Sequence, residues 1–146
     1  MNRHAWVFLS VLLLIPAGAG VALADNLTGA ENLLCTSVKA MECYADGGCI
    51  DGEPEIWNVP RFVRVDWNQK MLATTEASGE NRTTPIERVE REGDRVFLQG
   101  AEEGRAFSVT LNESTGLAST GIAMDGHVVS VFSYCTPDDA AEGSHN

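Results

Sequence analysis

Residues 85–135 read PIERVEREGDRVFLQGAEEGRAFSVTLNESTGLASTGIAMDGHVVSVFSYC, and the pattern of this segment indicates the fold class. Short apolar-rich runs alternate there with turn signals at Gly93-Asp94, Glu102–Gly104, Asn112–Gly116 and Asp125-Gly126. Each signal contains a glycine, which supplies the positive φ that hairpin turns require. Four consecutive hairpin turns predict five antiparallel strands, at about residues 86–92, 95–101, 105–112, 117–124 and 127–135.

The inward face of these strands follows from their alternation. In residues 105–112, Phe107, Val109 and Leu111 share one face, and the residues between them are small or polar. A period of two is typical of an antiparallel sheet with one solvated face. We therefore predict that these three side chains and Val131 point into the core. The last strand has apolar residues on both faces, which predicts deeper burial.

The first half of the chain contains two further strands and one ambiguous segment. Residues 62–67 alternate, residues 71–75 are their predicted partner, and the polar stretch 76–84 is typical of an exposed loop. Residues 33–44 have apolar side chains at helical spacing, but a first strand is equally compatible with them.

Seven strands with short links need a core between two faces, which a barrel or a two-sheet sandwich provides. The meander order favours the barrel, because sandwiches usually need Greek-key crossings. The predicted fold is an all-β, antiparallel up-and-down meander of seven to eight strands that closes as a small barrel. A β-sandwich is the alternative.

Residues 1–24 have the features of a secretory signal peptide. An apolar run from Ala5 to Ile15 follows a positive start, and Ala22-Leu23-Ala24 is the small-x-small pattern that signal peptidase cuts. The run is too short to cross a bilayer as a helix, which needs about 20 residues. We predict a periplasmic or secreted protein with no membrane contact after cleavage, a single β domain at 25–137 and a disordered tail at 138–146.

All four cysteines, Cys35, Cys43, Cys49 and Cys135, follow that segment. An even number in a small exported domain predicts two disulfides, for which three connectivities exist. If residues 33–44 form an eighth strand beside the last one, Cys35 lies next to Cys135. A Cys43–Cys49 disulfide would then close the loop between those two cysteines. A four-thiolate zinc site is the rival, but the spacings lack C-x2-C pairs. We therefore predict those two disulfides and no metal.

The chain is acidic, with 10 Lys and Arg against 21 Asp and Glu. Residues 1–24 contain Arg3 and no acidic residue, so the chain without them keeps nine basic residues and a net charge of −12. Nucleic-acid binding relies on Lys and Arg to neutralise phosphates, so the charge argues against that class and against anionic membranes. A basic protein partner is compatible with it, because complementary charge speeds association.

An acidic, glycine-punctuated segment covers residues 46–55, with carboxylates at Asp46, Asp51, Glu53 and Glu55. Calcium prefers such oxygen-rich loops, but the EF-hand register is absent. A disulfide-pinned loop loses less entropy on binding than a free one. We therefore predict that these four residues form the contact surface for a basic partner.

A catalytic set is not evident in the sequence. A hydrolase needs a nucleophile, a base and an orienting group, yet residues 25–146 hold two histidines, His127 and His145, and no G-x-S-x-G or H-E-x-x-H motif. Trp57 and Trp67 flank a strand, where they either pack in the core or line a ligand site. The leading hypothesis is an exported non-catalytic binding or accessory protein without a cofactor, whose ligand is a small apolar molecule or a basic protein. An inhibitor of a basic secreted hydrolase such as lysozyme, and a small enzyme, are the alternatives.

The ending V-F-x-x-C-T-P, from Val131 to Pro137, resembles that of small exported bacterial β-proteins, as do the export signal, the size and the cysteine pattern. In architecture alone, the chain is similar to the periplasmic inhibitors of C-type lysozyme, which are small disulfide-bearing barrels. The resemblance implies a barrel and a basic enzyme as partner, and it assigns no site residue.

Overall fold

The computed structural model describes residues 26–79 and 81–138, which form an all-β domain. The strands are β1 Asn32–Tyr44, β2 Cys49–Gly52, β3 Phe62–Asp66, β4 Met71–Thr74, β5 Thr83–Pro85, β6 Arg88–Glu92, β7 Arg95–Glu102, β8 Arg105–Asn112, β9 Leu117–Met124 and β10 His127–Pro137. Short 3₁₀ helices cover Pro54–Trp57 and Glu76–Ser78. The predicted signal peptide and residues 139–146 of the predicted tail lie outside the described residues.

One antiparallel sheet curls into a half-barrel, with the strand order β5-β4-β3-β1-β10-β9-β8-β7-β6 and β2 paired to β1 beside this path. Its two outer strands, β5 and β6, are consecutive in the chain. Between them, the Ile86 N–H donates to the Lys70 carbonyl at 2.8 Å and the Glu87 N–H donates to the Gln99 carbonyl at 2.9 Å. Residues 83–92 therefore connect both edges of the sheet. This confirms the predicted antiparallel meander and its barrel-type curvature. Two short strands, β2 and β5, add to the seven to eight strands predicted, and β5 lies partly in the stretch 76–84 that the sequence predicts to be a loop.

The ambiguous segment 33–44 belongs to a strand, β1, which pairs with β10 from Leu33–Pro137 to Tyr44–His127. The register shifts between Ser37 and Lys39, where a β-bulge leaves Val38 exposed. Because side chains alternate across a strand, the bulge changes which positions face inward. Ser37 is buried before the bulge, and Ala40 and Glu42 are buried after it.

Both predicted disulfides are present. Cys35 and Cys135 lie directly opposite each other in the β1–β10 pair, and Cys43–Cys49 joins β1 to β2. Two disulfides in a chain of this size indicate an oxidising, extracellular-type environment. None of the helices within residues 26–79 and 81–138 is long and apolar enough to cross a membrane.

The core consists of two clusters of buried side chains. The larger cluster includes Leu27, Leu33, Val96, Leu98 and Leu111. The smaller cluster consists of Ala40, Val59, Val129 and Val131. The predicted inward face of β8 is therefore correct for Leu111, as is the inward position of Val131.

Two details differ from the expectations. Phe107 and Val109 share the inward face with Leu111 but are only half-buried, because they border a cavity. The predicted deep burial of β10 is wrong for its outer face, where Phe132 and Tyr134 are exposed and Leu117 of β9 pairs with Tyr134. Asp138, the first residue of the predicted tail, is buried and forms an ion pair with Arg64.

Removing each disulfide separately tests its share of the stability. In the chain-entropy model, the loop of about 100 residues closed by Cys35–Cys135 contributes about 4.7 kcal/mol, and the short Cys43–Cys49 loop contributes about 2 kcal/mol. We expect urea unfolding to show a larger loss for the Cys35→Ala/Cys135→Ala variant than for Cys43→Ala/Cys49→Ala. Equal losses would contradict the view that Cys35–Cys135 is the main covalent constraint.

Gly100 of β7 lies beneath the ring of its cross-strand partner, Phe107. A Cβ at this position would come within 2.6 Å of the Phe107 ring and 2.7 Å of the Pro85 carbonyl oxygen. Because the second contact is backbone, Gly100→Ala should cost about 1–3 kcal/mol in urea unfolding. Gly121→Ala is the matched control, since a Cβ there has no heavy-atom neighbour within 4 Å. If both variants are equally stable, the tight packing of Phe107 over Gly100 is wrong.

Candidate functional site

A cavity of about 140 Å³ lies inside the half-barrel, between the two core clusters. Its wall includes residues of both clusters, such as Leu98 from the larger and Val131 from the smaller. Most of the wall is aliphatic, contributed by Val63, Val65, Leu72, Leu98, Val109 and Ile122. This interior space is suited to an apolar molecule.

The cavity exists because small side chains occupy inward positions on neighbouring strands. Ser37 on β1, Ala118 and Thr120 on β9, and Ser133 on β10 all line it. The Ser133 hydroxyl donates to the Ser37 hydroxyl at 3.5 Å, so these two buried polar groups satisfy each other across the sheet. Larger residues at the same inward positions would have filled the core.

Three charged side chains line the same cavity and are the candidate polar group of the site. The Glu102 carboxylate lies 3.6 Å from an Arg105 guanidinium nitrogen and 3.9 Å from an Arg82 guanidinium nitrogen. Arg82 also donates to the Asn58 carbonyl at 3.3 Å. The three charged side chains are about one-fifth exposed, so they lie between the apolar interior and solvent. We term them the mouth of the cavity.

A second polar cluster surrounds Glu42, whose side chain is 11% exposed. Its Oε2 atom accepts hydrogen bonds from the Tyr44 hydroxyl and from Trp57 Nε1, each at 2.6 Å. His127 Nε2 lies 3.5 Å from Oε1, and the His127 ring stacks on Tyr44 with centroids 5.8 Å apart. The sequence did not predict this cluster, because its members come from β1, from β10 and from residues 45–60. We term residues 45–60, which contain the four predicted contact residues, the contact loop.

The hydrogen bonds also shift the titration of the groups involved. The Tyr44 hydrogen bond is the main reason that the pKa of Glu42 lies below its usual value, with the Trp57 hydrogen bond and the nearby His127 acting in the same direction against burial. The same Glu42 hydrogen bond raises the pKa of Tyr44. An ionised Glu42 therefore anchors Trp57 over the smaller core cluster, against which Trp57 packs. Both Glu42 oxygens already have partners, which fits an anchor better than a general base.

The structure pairs most carboxylates of the contact loop within the chain. Asp51 lies 2.9 Å from Lys39, while Glu53 and Glu55 lie 2.7 Å and 2.5 Å from Arg61. These hydrogen bonds lower the pKa of Asp51 and of Glu55. A basic partner would have to compete with Lys39 and Arg61, and the contact-loop assignment stays a prediction.

Asp46, the fourth predicted contact residue, accepts a hydrogen bond from the Gly48 N–H at 3.1 Å and is exposed. The contact loop also has two exposed isoleucines that charge patterning does not indicate. Ile50 is 59% exposed and Ile56 is 70% exposed. Ile50 and Gly52 share one face of β2, and Ile56 packs over Gly52, so the two isoleucines lie on the same side of the loop.

Trp57 and Trp67 do not line the cavity. Trp57 belongs to the Glu42 cluster, whereas Trp67 packs against the larger core cluster with the Arg91 guanidinium 5.0 Å from its ring. Within residues 26–79 and 81–138, no group of three His, Cys, Asp or Glu side chains is arranged to hold a metal ion. Core packing is therefore the role that the structure gives both tryptophans.

Glu42→Gln tests the anchor through its pH dependence. Because the pKa of Glu42 is held below 4.5, the ionised group stabilises the fold above that pH, and this stability is lost as the pH falls through the lowered value. We expect the stability of Glu42→Gln to fall less steeply below pH 4.5 than that of the unmodified protein, as measured by urea unfolding. Glu31→Gln, at an exposed site, is the control and should retain the original slope. An unchanged slope in Glu42→Gln would refute the anchor.

No protein-family model matches this chain, and no curated protein matches it either. The geometry of the cavity, its mouth and the contact loop is therefore the basis for assigning a function.

Proposed function

We propose that this protein is a non-catalytic binding module that holds a small apolar molecule inside its half-barrel. The observation that supports the proposal is the aliphatic cavity of about 140 Å³. An engineered apolar cavity of about 150 Å³ is large enough to bind benzene, so a single aromatic ring or a short aliphatic chain is the expected size of ligand.

We further propose that the protein works in the periplasm or outside the cell, after removal of residues 1–24. The sequence pattern of that segment and the two disulfides support export. A binding role without catalysis agrees with the surroundings of Glu42 and His127. Glu42 accepts hydrogen bonds from Tyr44 and Trp57, and the His127 ring is hydrogen-bonded to the Asp125 carbonyl.

Filling the cavity should abolish binding. Thr120 faces the cavity from β9, whereas its neighbour Ser119 is exposed on the outer face of the same strand. We expect toluene to cause saturable shifts of the cavity-lining methyl signals in NMR spectra of the unmodified protein and of Ser119→Phe, and none in Thr120→Phe. Circular dichroism would establish that both variants are folded. If toluene causes no shifts in the unmodified protein, or identical shifts in both variants, cavity binding is rejected.

A second candidate function is inhibition of a basic secreted hydrolase such as lysozyme. The observation that favours it is the pair of exposed isoleucines, Ile50 and Ile56, on an acidic, disulfide-pinned loop. Interfaces commonly combine apolar anchors at the centre with charged residues at the rim, and pinning limits the entropy lost on binding. The contact loop has both features.

A lytic assay with C-type lysozyme tests this candidate. We expect inhibition that weakens as salt is raised, because exposed charges are screened beyond about 10 Å at 0.1 M salt. Ile50→Ala/Ile56→Ala should reduce inhibition, whereas Val128→Ala, which removes an exposed apolar side chain outside the contact loop, should not. Absence of inhibition at low salt would eliminate this candidate and leave the cavity proposal unaffected.

A further inference from the structure

We propose that the cavity takes a small carboxylic acid in its anionic form, with the apolar body inside the half-barrel and the carboxylate at the mouth, bound by Arg105. This inference depends on the proposed binding function, since it specifies the chemical class of the ligand at the same site.

The principal observation is that the guanidinium of Arg105 has N–H donors available for a ligand. Within the part of the chain that the structure describes, its guanidinium makes no hydrogen bond, and it forms an ion pair with Glu102 at 3.6 Å. A guanidinium has five N–H donors in a planar fork that matches a carboxylate in bidentate geometry. Arg105 is 19% exposed and borders the cavity, so these donors are available to a group that emerges from the cavity.

The β7–β8 turn places Arg105 at the mouth of the cavity. It begins β8 directly after the β7–β8 turn, in which Glu103 and Gly104 both have positive φ, and it pairs with Glu102 at the end of β7. A two-residue turn holds both side chains at the end of the barrel, and Phe107, two residues further along β8, extends the same inward face into the cavity. The charged head and the apolar body of one ligand would thus contact alternate residues of a single strand.

Glu102 is the internal competitor of such a ligand. Its carboxylate lies between Arg82 and Arg105 at distances of 3.9 Å and 3.6 Å, longer than a direct hydrogen bond. A ligand carboxylate that donates nothing and accepts from Arg105 can form the short, charge-assisted bonds that Glu102 does not form. A cationic ligand would instead need to approach two guanidinium groups, which disfavours it.

The acidic character of the whole chain does not oppose this assignment. The net charge of −11 is spread over the chain, and its field beyond about 8 Å is screened at physiological ionic strength. An anion inside the mouth interacts with the nearest side chains at a lower effective dielectric constant, so the adjacent guanidinium dominates. The charges next to the mouth, and not the net charge of the chain, therefore determine which ligand head group binds there.

Benzoate, benzamide and benzamidine test the inference, because they share a shape and carry charges of −1, 0 and +1 at neutral pH. We expect benzoate to bind about ten-fold or more tightly than benzamide, and benzamidine to bind most weakly. Arg105→Gln should remove the preference for benzoate but retain toluene binding. Arg95→Gln, which changes an exposed arginine at the opposite end of β7, is the control and should behave like the unmodified protein. Glu102→Gln should tighten benzoate binding, since it removes the competing carboxylate.

The outcomes separate this inference from the proposed function. If toluene binds but benzoate is no tighter than benzamide, or if Arg105→Gln keeps the preference, the carboxylate assignment is overturned and the cavity proposal stands. Tighter binding of benzamidine would overturn it too, and would indicate Glu102 as the head-group partner. If neither toluene nor any of the three probes binds, the proposed function itself is rejected.

Discussion

The long antiparallel pairing of β1 with β10 holds the two halves of the sheet together. It joins the strand nearest the start of the described chain to the strand at its end, and it lies between β3 on one side and β9 on the other. Without it, β1 to β5 would lose their pairing with β6 to β10 on this side of the half-barrel, and the apolar faces of both groups of strands would open to water. The Cys35–Cys135 disulfide lies within this pairing and shortens the search for a contact that is 100 residues apart in sequence.

The β-bulge in β1 determines which β1 side chains face the interior. Before the bulge, the inward positions include Cys35 and Ser37, which line the cavity. After it, the inward positions are Ala40 and Glu42, which support the smaller core cluster and hold Trp57. One inserted residue therefore lets a single strand form part of the cavity wall and, beyond the bulge, part of the Glu42 anchor that holds Trp57.

The sequence predicted the elements whose signals are local and missed those that depend on residues brought together by folding. The hairpins from residue 86 to 135 were predictable because each turn has a glycine at positive φ, as at Gly104 and Gly116. Segment 33–44 stayed ambiguous because the bulge interrupts its alternation and leaves apolar residues at helical spacing. The cavity could not be predicted, because it results from small residues on three strands facing larger ones. The mouth and the Glu42 cluster likewise combine residues that are distant in sequence, and Glu42 and His127 give no local motif.

The cavity lowers the stability of the domain, and the long disulfide offsets that loss. An unfilled cavity costs about 24 cal/mol per Å³, so a void of about 140 Å³ costs about 3 kcal/mol. A disulfide that closes a loop of about 100 residues contributes about 4.7 kcal/mol, which is enough to offset that loss. A small domain that filled its core would gain this stability from packing and would depend less on a covalent link between its first and last long strands. Binding of the apolar ligand proposed above would restore the missing contacts, so the void that lowers the stability of the empty protein would also be the source of affinity for that ligand. The long disulfide, which forms in an oxidising environment, thus allows the domain to tolerate an unfilled core.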